Sequence, residues 1–204
     1  MTNIHRVIWD KFGIHRSNAM PLNGAPWHMD KTRAHLGELF KDLGYKIGAE
    51  IGVEKGKYSR FLCDINPELK LYCIDPWRAY ARNSQEREDV IYEKAKAHLK
   101  DKNVEIMRMT SLEASQVIAD GSLDFVYIDA LHEFDPFMMD IILWVPKVRK
   151  DGIVSGHDFA HFHEMGIVQA VTAYVTAHSI IPWYITTGEV TPSWFWVKTS
   201  ILIT

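Results

Sequence analysis

The sequence predicts an α/β fold: a doubly wound, mostly parallel seven-stranded sheet with an antiparallel C-terminal edge hairpin. Three observations carry that prediction. From residue 47 to 177, short apolar runs alternate with helical stretches, the pattern of a parallel sheet covered on both faces. The first run is followed by Gly52-Val53-Glu54-Lys55-Gly56, a glycine turn at the point where such folds bring backbone close to a ligand. Two aromatic runs, 183–186 and 194–198, are joined by a turn region containing Gly188 and Pro192. That connection is too short for a helical crossover, so the two runs pair antiparallel.

Residues 1–30 read as an N-terminal arm or lid. Pro21, Asn23-Gly24 and Pro26 interrupt the segment, while Trp9, Met20, Trp27 and Met29 offer apolar anchors. Residues 31–204 then form a single domain, because a chain of 204 residues buries one core and is short for two. Within it, Leu36, Leu39, Phe40 and Leu43 recur at helical spacing before the stop at Gly44, which predicts a helix over 31–43. A strand over 47–53, a helix over 58–65 and a strand over 69–74 complete one βαβ unit, with Pro67 as the breaker. The alternation continues with a helix over 82–100, a strand over 104–107, a helix over 112–118 and a strand over 123–128. Next come a helix over 137–148, the turn Lys150-Asp151-Gly152, a strand over 153–155 and a helix over 165–177.

Composition narrows the function classes. The chain is 47% hydrophobic and 24% charged, as globular proteins are, and its formal net charge of -3 gives no reason to expect a polyanionic partner. Nucleic acid is therefore excluded as an expected partner. No apolar run approaches the roughly 20 residues of a membrane span, and no signal-peptide pattern opens the chain, so the expectation is a cytoplasmic protein with no membrane partner. Cys63 and Cys73 lack CxxC spacing and read as reduced core residues.

The cofactor-type motif begins at Glu50-Ile51-Gly52-Val53-Glu54-Lys55-Gly56. Glycines there allow a sharp turn and a close approach, and the helix that follows offers unpaired N–H groups. A plain structural turn would look the same, and the dinucleotide pattern GxGxxG is absent because position 54 is glutamate. Asp75 closes the second strand. An acidic side chain at that place can accept hydrogen bonds from both hydroxyls of a ribose, or it can simply initiate a turn before Pro76.

The runs GAEIGVEKGKYSRFL and LYCIDPW, followed by SLDFVYIDALHEFDPFMMDIILWVPKVRKDGIVSGHDF, resemble the class I S-adenosylmethionine-dependent methyltransferases, whose sheet is Rossmann-like. More narrowly, they are similar to the small-molecule O-methyltransferase branch that includes the macrocin-type sugar methyltransferases. The resemblance covers residues 48–157. It implies that Glu50, Gly52, Val53 and Gly56 line the methionine and ribose side of S-adenosylmethionine, that Asp75 holds the ribose, and that Ser111 sits beside the adenine. It also implies that Asp129 lies near the reactive sulfonium. Trp77 and Tyr80 follow Asp75 and either wall the adenine or acceptor or belong to the core.

Asp129, His132 and the pair His157-Asp158 fall at the C-terminal ends of neighbouring strands, the edge where open α/β sheets bind ligands. Asp129, His157 and Asp158 could hold a divalent cation, with oxygen donors favouring Mg2+ or Mn2+, or they could cap helices. Metal-dependent O-methyltransferases, which this stretch resembles, carry an acidic residue and then an acidic pair at these two strand ends. His132 has the ordinary pKa range of a general base at neutral pH, and orienting a substrate is its other reading. The run HDFAHFH, which adds His161 and His163, has no CxxC or HExxH partner and reads as a surface loop. The expected partner is a small-molecule acceptor, with homo-oligomerisation left open. A nicotinamide-dependent oxidoreductase and a non-catalytic nucleotide-binding protein on the same fold are the rival classes.

Overall fold

The computed structural model describes residues 3–14, 21, 24–80, 83–161 and 165–199. In chain order these form α1 (Asn3–Phe12), β1 (Trp27–Met29), α2 (Arg33–Asp42), β2 (Ile47–Ile51), α3 (Lys57–Ile65), β3 (Lys70–Ile74), α4 (Gln85–Leu99) and β4 (Val104–Met107). They continue as α5 (Ser111–Val117), β5 (Leu123–Ile128), α6 (Phe134–Trp144), β6 (Val148–Gly156), α7 (Ile167–Ala177), β7 (Trp183–Thr186) and β8 (Trp194–Val197). The strands make one eight-stranded sheet in the order β1-β7-β8-β6-β5-β2-β3-β4. All neighbours run parallel except where β8 is inserted between β6 and β7, antiparallel to both.

Both faces of the sheet are buried because its central strands are apolar on both sides. In β5, Phe125 and Tyr127 enter one core with Ile8, Leu36, Phe40, Leu62 and Leu99, so that α1, α2, α3 and α4 cover that face. Val126 and Ile128 enter the other core with Phe137, Trp144, Ala170 and Val171 from α6 and α7, beside Ala114 of α5. Strand order reverses between β2 and β5: chain continuity runs outward through β3 and β4 on one side and through β6 on the other. The crevice at that switch point is the ligand edge of doubly wound sheets.

The structure adds one strand to the seven expected. β1 pairs parallel with β7, Trp27 opposite Tyr184 and Met29 opposite Thr186, so the C-terminal hairpin is antiparallel as expected while the outermost edge belongs to β1. The segment read as an arm or lid supplies α1 and β1. Ile8, Phe12, Trp27 and Met29 are buried with the core, and the Tyr184 hydroxyl lies 3.2 Å from both His5 Nδ1 and Trp9 Nε1. Met20, named as an anchor of that arm, lies outside the described residues, as does His163. The strand expected over 153–155 is longer, because the Asp151-Gly152 turn is absorbed as a register shift opposite Leu123 and Phe125. Cys63 and Cys73 are buried and unbridged, and burial pushes the Cys63 thiol up to about 11. No helix among the described residues is long and apolar enough to cross a membrane.

Candidate active site

The β2–α3 loop opens on a backbone contact that leaves no room for a side chain at Gly52. Gly52 has φ +88°, its N–H donates to the Ile74 carbonyl (2.9 Å), and a Cβ at this position would stand 2.0 Å from the Asp129 carbonyl oxygen. Gly56, with φ +72°, is the N-cap of α3. Asp75, directly after β3, knits the loop together: Oδ2 accepts from the N–H groups of Val53 (3.0 Å) and Glu54 (2.9 Å), and Oδ1 from Trp77 N–H (2.8 Å). Three of a carboxylate's about four acceptor positions are thus filled by backbone, so one is left for a ribose hydroxyl and a second hydroxyl must share or displace a loop contact. Burial raises the Asp75 pKa while those three N–H groups work against it.

Glu50, near the end of β2, is 2% exposed and accepts a hydrogen bond from Ser59 Oγ. Burial pushes its carboxyl up to about 8, so it is mostly protonated at neutral pH. Trp77 is 1% exposed; its indole packs against Tyr92 and donates to the Glu54 carbonyl (2.9 Å). It braces the loop from behind, and its contact with the edge is through its backbone N–H. Ser111 begins α5, where its hydroxyl donates to Asp140 and accepts from Trp144 Nε1 (2.8 Å), tying α5 to α6.

At the ends of β5 and β6, four side chains converge. Asp158 occupies a left-handed backbone state, φ +56°, and binds two imidazoles: Oδ2 is 3.1 Å from His132 Nε2 and Oδ1 is 3.2 Å from His157 Nδ1. His157 Nδ1 is also 3.8 Å from Asp129 Oδ2, and its Nε2 lies 3.4 Å from Thr191 Oγ1. Ligand atoms of Asp129, His132 and Asp158 lie within 4.8 Å of one another, the one such group among the described residues. His157 is the imidazole expected with the two carboxylates, whereas the grouped ligand atoms include that of His132. His157, 7% exposed and engaged at both nitrogens, backs the group, while the half-exposed His132 completes it. His161 is exposed and is not a member of the group.

Electrostatics separates the members of the group. Burial raises the Asp129 carboxyl, and the adjacent Asp158 adds to that, against His157, Arg33 and His132. Burial would also raise Asp158, but hydrogen bonds from His132 and His157 outweigh it and hold its carboxyl well below the usual range. The same bond to Asp158 raises the His132 imidazole above its ordinary value despite desolvation. A permanently ionised carboxylate that orients a more basic imidazole is the pairing general-base chemistry uses.

An open parallel sheet with one antiparallel strand inserted near its edge, a glycine loop bound to the acid after the next strand, and a titratable cluster at the switch point together define a class I methyltransferase. The chain belongs to the methyltransferase-domain family, whose model matches residues 49–159, more than half of the sequence. It is an S-adenosylmethionine-dependent methyltransferase. No curated protein matches it in sequence. Solved structures share its fold. A candidate caffeoyl-CoA O-methyltransferase of Staphylococcus aureus superposes with a TM-score of 0.63 at 16% identity, covering 97% of this chain and 93% of that one. The Bacillus cereus O-methyltransferase, solved with S-adenosylhomocysteine, gives 0.61 at 14% identity over 96% and 90% of the two chains. TomG of Streptomyces achromogenes, an O-methyltransferase of tomaymycin synthesis solved with S-adenosylmethionine, gives 0.60 at 14% over 96% and 89%. The family match lends no support to the oxidoreductase or the non-catalytic reading.

Proposed function

We propose that this enzyme methylates a hydroxyl oxygen of a small molecule, with His132 as the base that removes the acceptor proton. The observation that carries the reading is the His132–Asp158 pair at the end of β6, beside Asp129. With His132 Nε2–H donated to Asp158, the lone pair of Nδ1 is left to accept a proton, and Asp158 stabilises the imidazolium that results. S-adenosylmethionine supplies, when bound, an electrophilic methyl group on a sulfonium. Glu50, Gly52, Val53, Gly56 and Asp75 would hold its methionyl and ribose parts, with Ser111 on the adenine side. Alignment is the protein's main task in a direct displacement, and residues fixed to strand ends by backbone contacts suit it.

Two carboxylates and one imidazole also suit a hard divalent cation such as Mg2+ or Mn2+. A cation held by Asp129, His132 and Asp158 would supply Lewis acidity to an acceptor hydroxyl. In that arrangement the cation takes the one lone pair of the neutral His132 imidazole and the other ring nitrogen carries the proton, so His132 could not also serve as base and the two roles compete. Turnover with a hydroxylated acceptor, measured with and without chelator, decides between them. Activity that survives chelation belongs to His132 as base, and activity that chelation abolishes belongs to the cation.

Donor binding has its own test. Asp75→Ala is expected to weaken S-adenosylhomocysteine by about 1 to 3 kcal/mol in titration calorimetry, because buried ribose hydroxyls lose a charged acceptor and the loop loses its tie. Unchanged affinity would leave Asp75 a turn-forming residue only.

A further inference from the structure

The pairing of β1 with β7 delivers to this edge a side chain that lies outside the matched stretch. Arg33 is the first residue of α2. Its N–H donates to Glu189 Oε1 (2.7 Å) in the β7–β8 turn, and its carbonyl accepts from the Tyr58 hydroxyl (3.0 Å) in the first turn of α3. The backbone of Arg33 is therefore held on both sides of the crevice. Its guanidinium lies over the Tyr58 ring, 5.4 Å from the centroid, and Nη1 is 3.9 Å from Asp129 Oδ2. That distance is an ion pair without a hydrogen bond, and the side chain is 42% exposed. Among the described residues no protein acceptor takes a hydrogen bond from the guanidinium, although it carries five N–H donors in a planar fork.

We propose that Arg33 binds the carboxylate of the donor's methionyl group, an assignment that rests on the donor reading above. Two features select this anion. Tyr58, on which the guanidinium is seated, is the second residue of α3, directly behind the Gly56 turn. The charge pattern also fits: Asp129 stands beside Arg33, and Glu50 is close enough for the Arg33 charge to lower its carboxyl against burial. One cation set beside acids complements an amino-acid head group, whose carboxylate takes the fork while its ammonium faces the Asp129 carboxylate, with the Glu50 carboxyl as a further acceptor.

Calorimetry with two probes tests the assignment. S-adenosylhomocysteine carries the amino-acid head group, and 5′-methylthioadenosine keeps the adenosine and thioether without it. Arg33→Ala is expected to weaken S-adenosylhomocysteine by about 10- to 100-fold and to leave 5′-methylthioadenosine unchanged. Arg33→Lys should recover part of the loss, since a lysine restores the charge without the fork. Unchanged S-adenosylhomocysteine affinity overturns the proposal, including the case in which only an acceptor's KM rises. An equal loss for both probes also overturns it, because Arg33 would then act through Asp129 or the fold. Wild-type protein that binds neither probe would instead overturn the donor reading beneath it.

Discussion

His132→Ala is expected to lower kcat by about 10²- to 10⁴-fold, the range for loss of a general base, and to leave S-adenosylhomocysteine affinity unchanged. The separation follows from position. His132 lies in the β5–α6 connection and is bonded to Asp158, whereas the residues that would hold the donor's ribose lie at the ends of β2 and β3. The pH profile provides a second readout. Because the hydrogen bond to Asp158 raises the His132 pKa above its ordinary 6.5, kcat/KM measured in chelator should fall as pH drops through a value above 6.5, where the imidazole takes up its proton. Asp158→Asn removes the charge that raises it, so the acid limb should move to lower pH while the maximum rate drops. A profile that Asp158→Asn does not move, or full activity of His132→Ala, would remove the base assignment.

The parallel sheet was legible because the inner strands carry short, mostly apolar runs between turn residues, and Phe125–Ile128 shows why: alternate side chains enter opposite cores. β1 was not legible. Three residues, Trp27, His28 and Met29, are too few to show a period, and they become a strand only because Tyr184, Ile185 and Thr186 present an edge to pair with. α1 did carry a signal, since Ile4, Val7, Ile8 and Phe12 recur at helical steps, but the proline and glycine residues that follow gave the whole segment the look of an irregular arm. At the site, the strand ends brought Asp75, Asp129, His157 and Asp158 to one edge as the alternation required. Which imidazole groups with the two carboxylates depends on where the β5–α6 connection places His132, a tertiary placement that spacing does not encode. Arg33 had no motif around it. It reaches the crevice through the β1–β7 pairing and the Glu189 contact, both of which are tertiary.

Gly52→Ala is expected to be the most destabilising single change at the site, at about 2 to 5 kcal/mol. Two costs combine. A left-handed backbone penalises any side chain by about 1 to 2 kcal/mol, and overpacking adds about 1 to 3. The crowding is against backbone and cannot be relieved by turning a side chain: the new Cβ would lie 2.0 Å from the Asp129 carbonyl oxygen and 2.7 Å from Ala130 Cα. To make room, the end of β5 must move away from β2, and Asp129 moves with it out of register with His132 and Asp158. Gly44 supplies the control. It has φ +69°, similar to the +88° of Gly52, but nothing lies within 4 Å of the place a methyl would occupy there, so Gly44→Ala carries the backbone cost alone. Thermal melts of the two variants should differ by roughly 2 to 4 °C for each kcal/mol of steric cost, with Gly52→Ala the lower. Only Gly52→Ala should also lose S-adenosylhomocysteine binding at a temperature where both remain folded. If the two variants melt together and bind alike, the contact between the β2–α3 loop and the end of β5 is not what holds the site in shape.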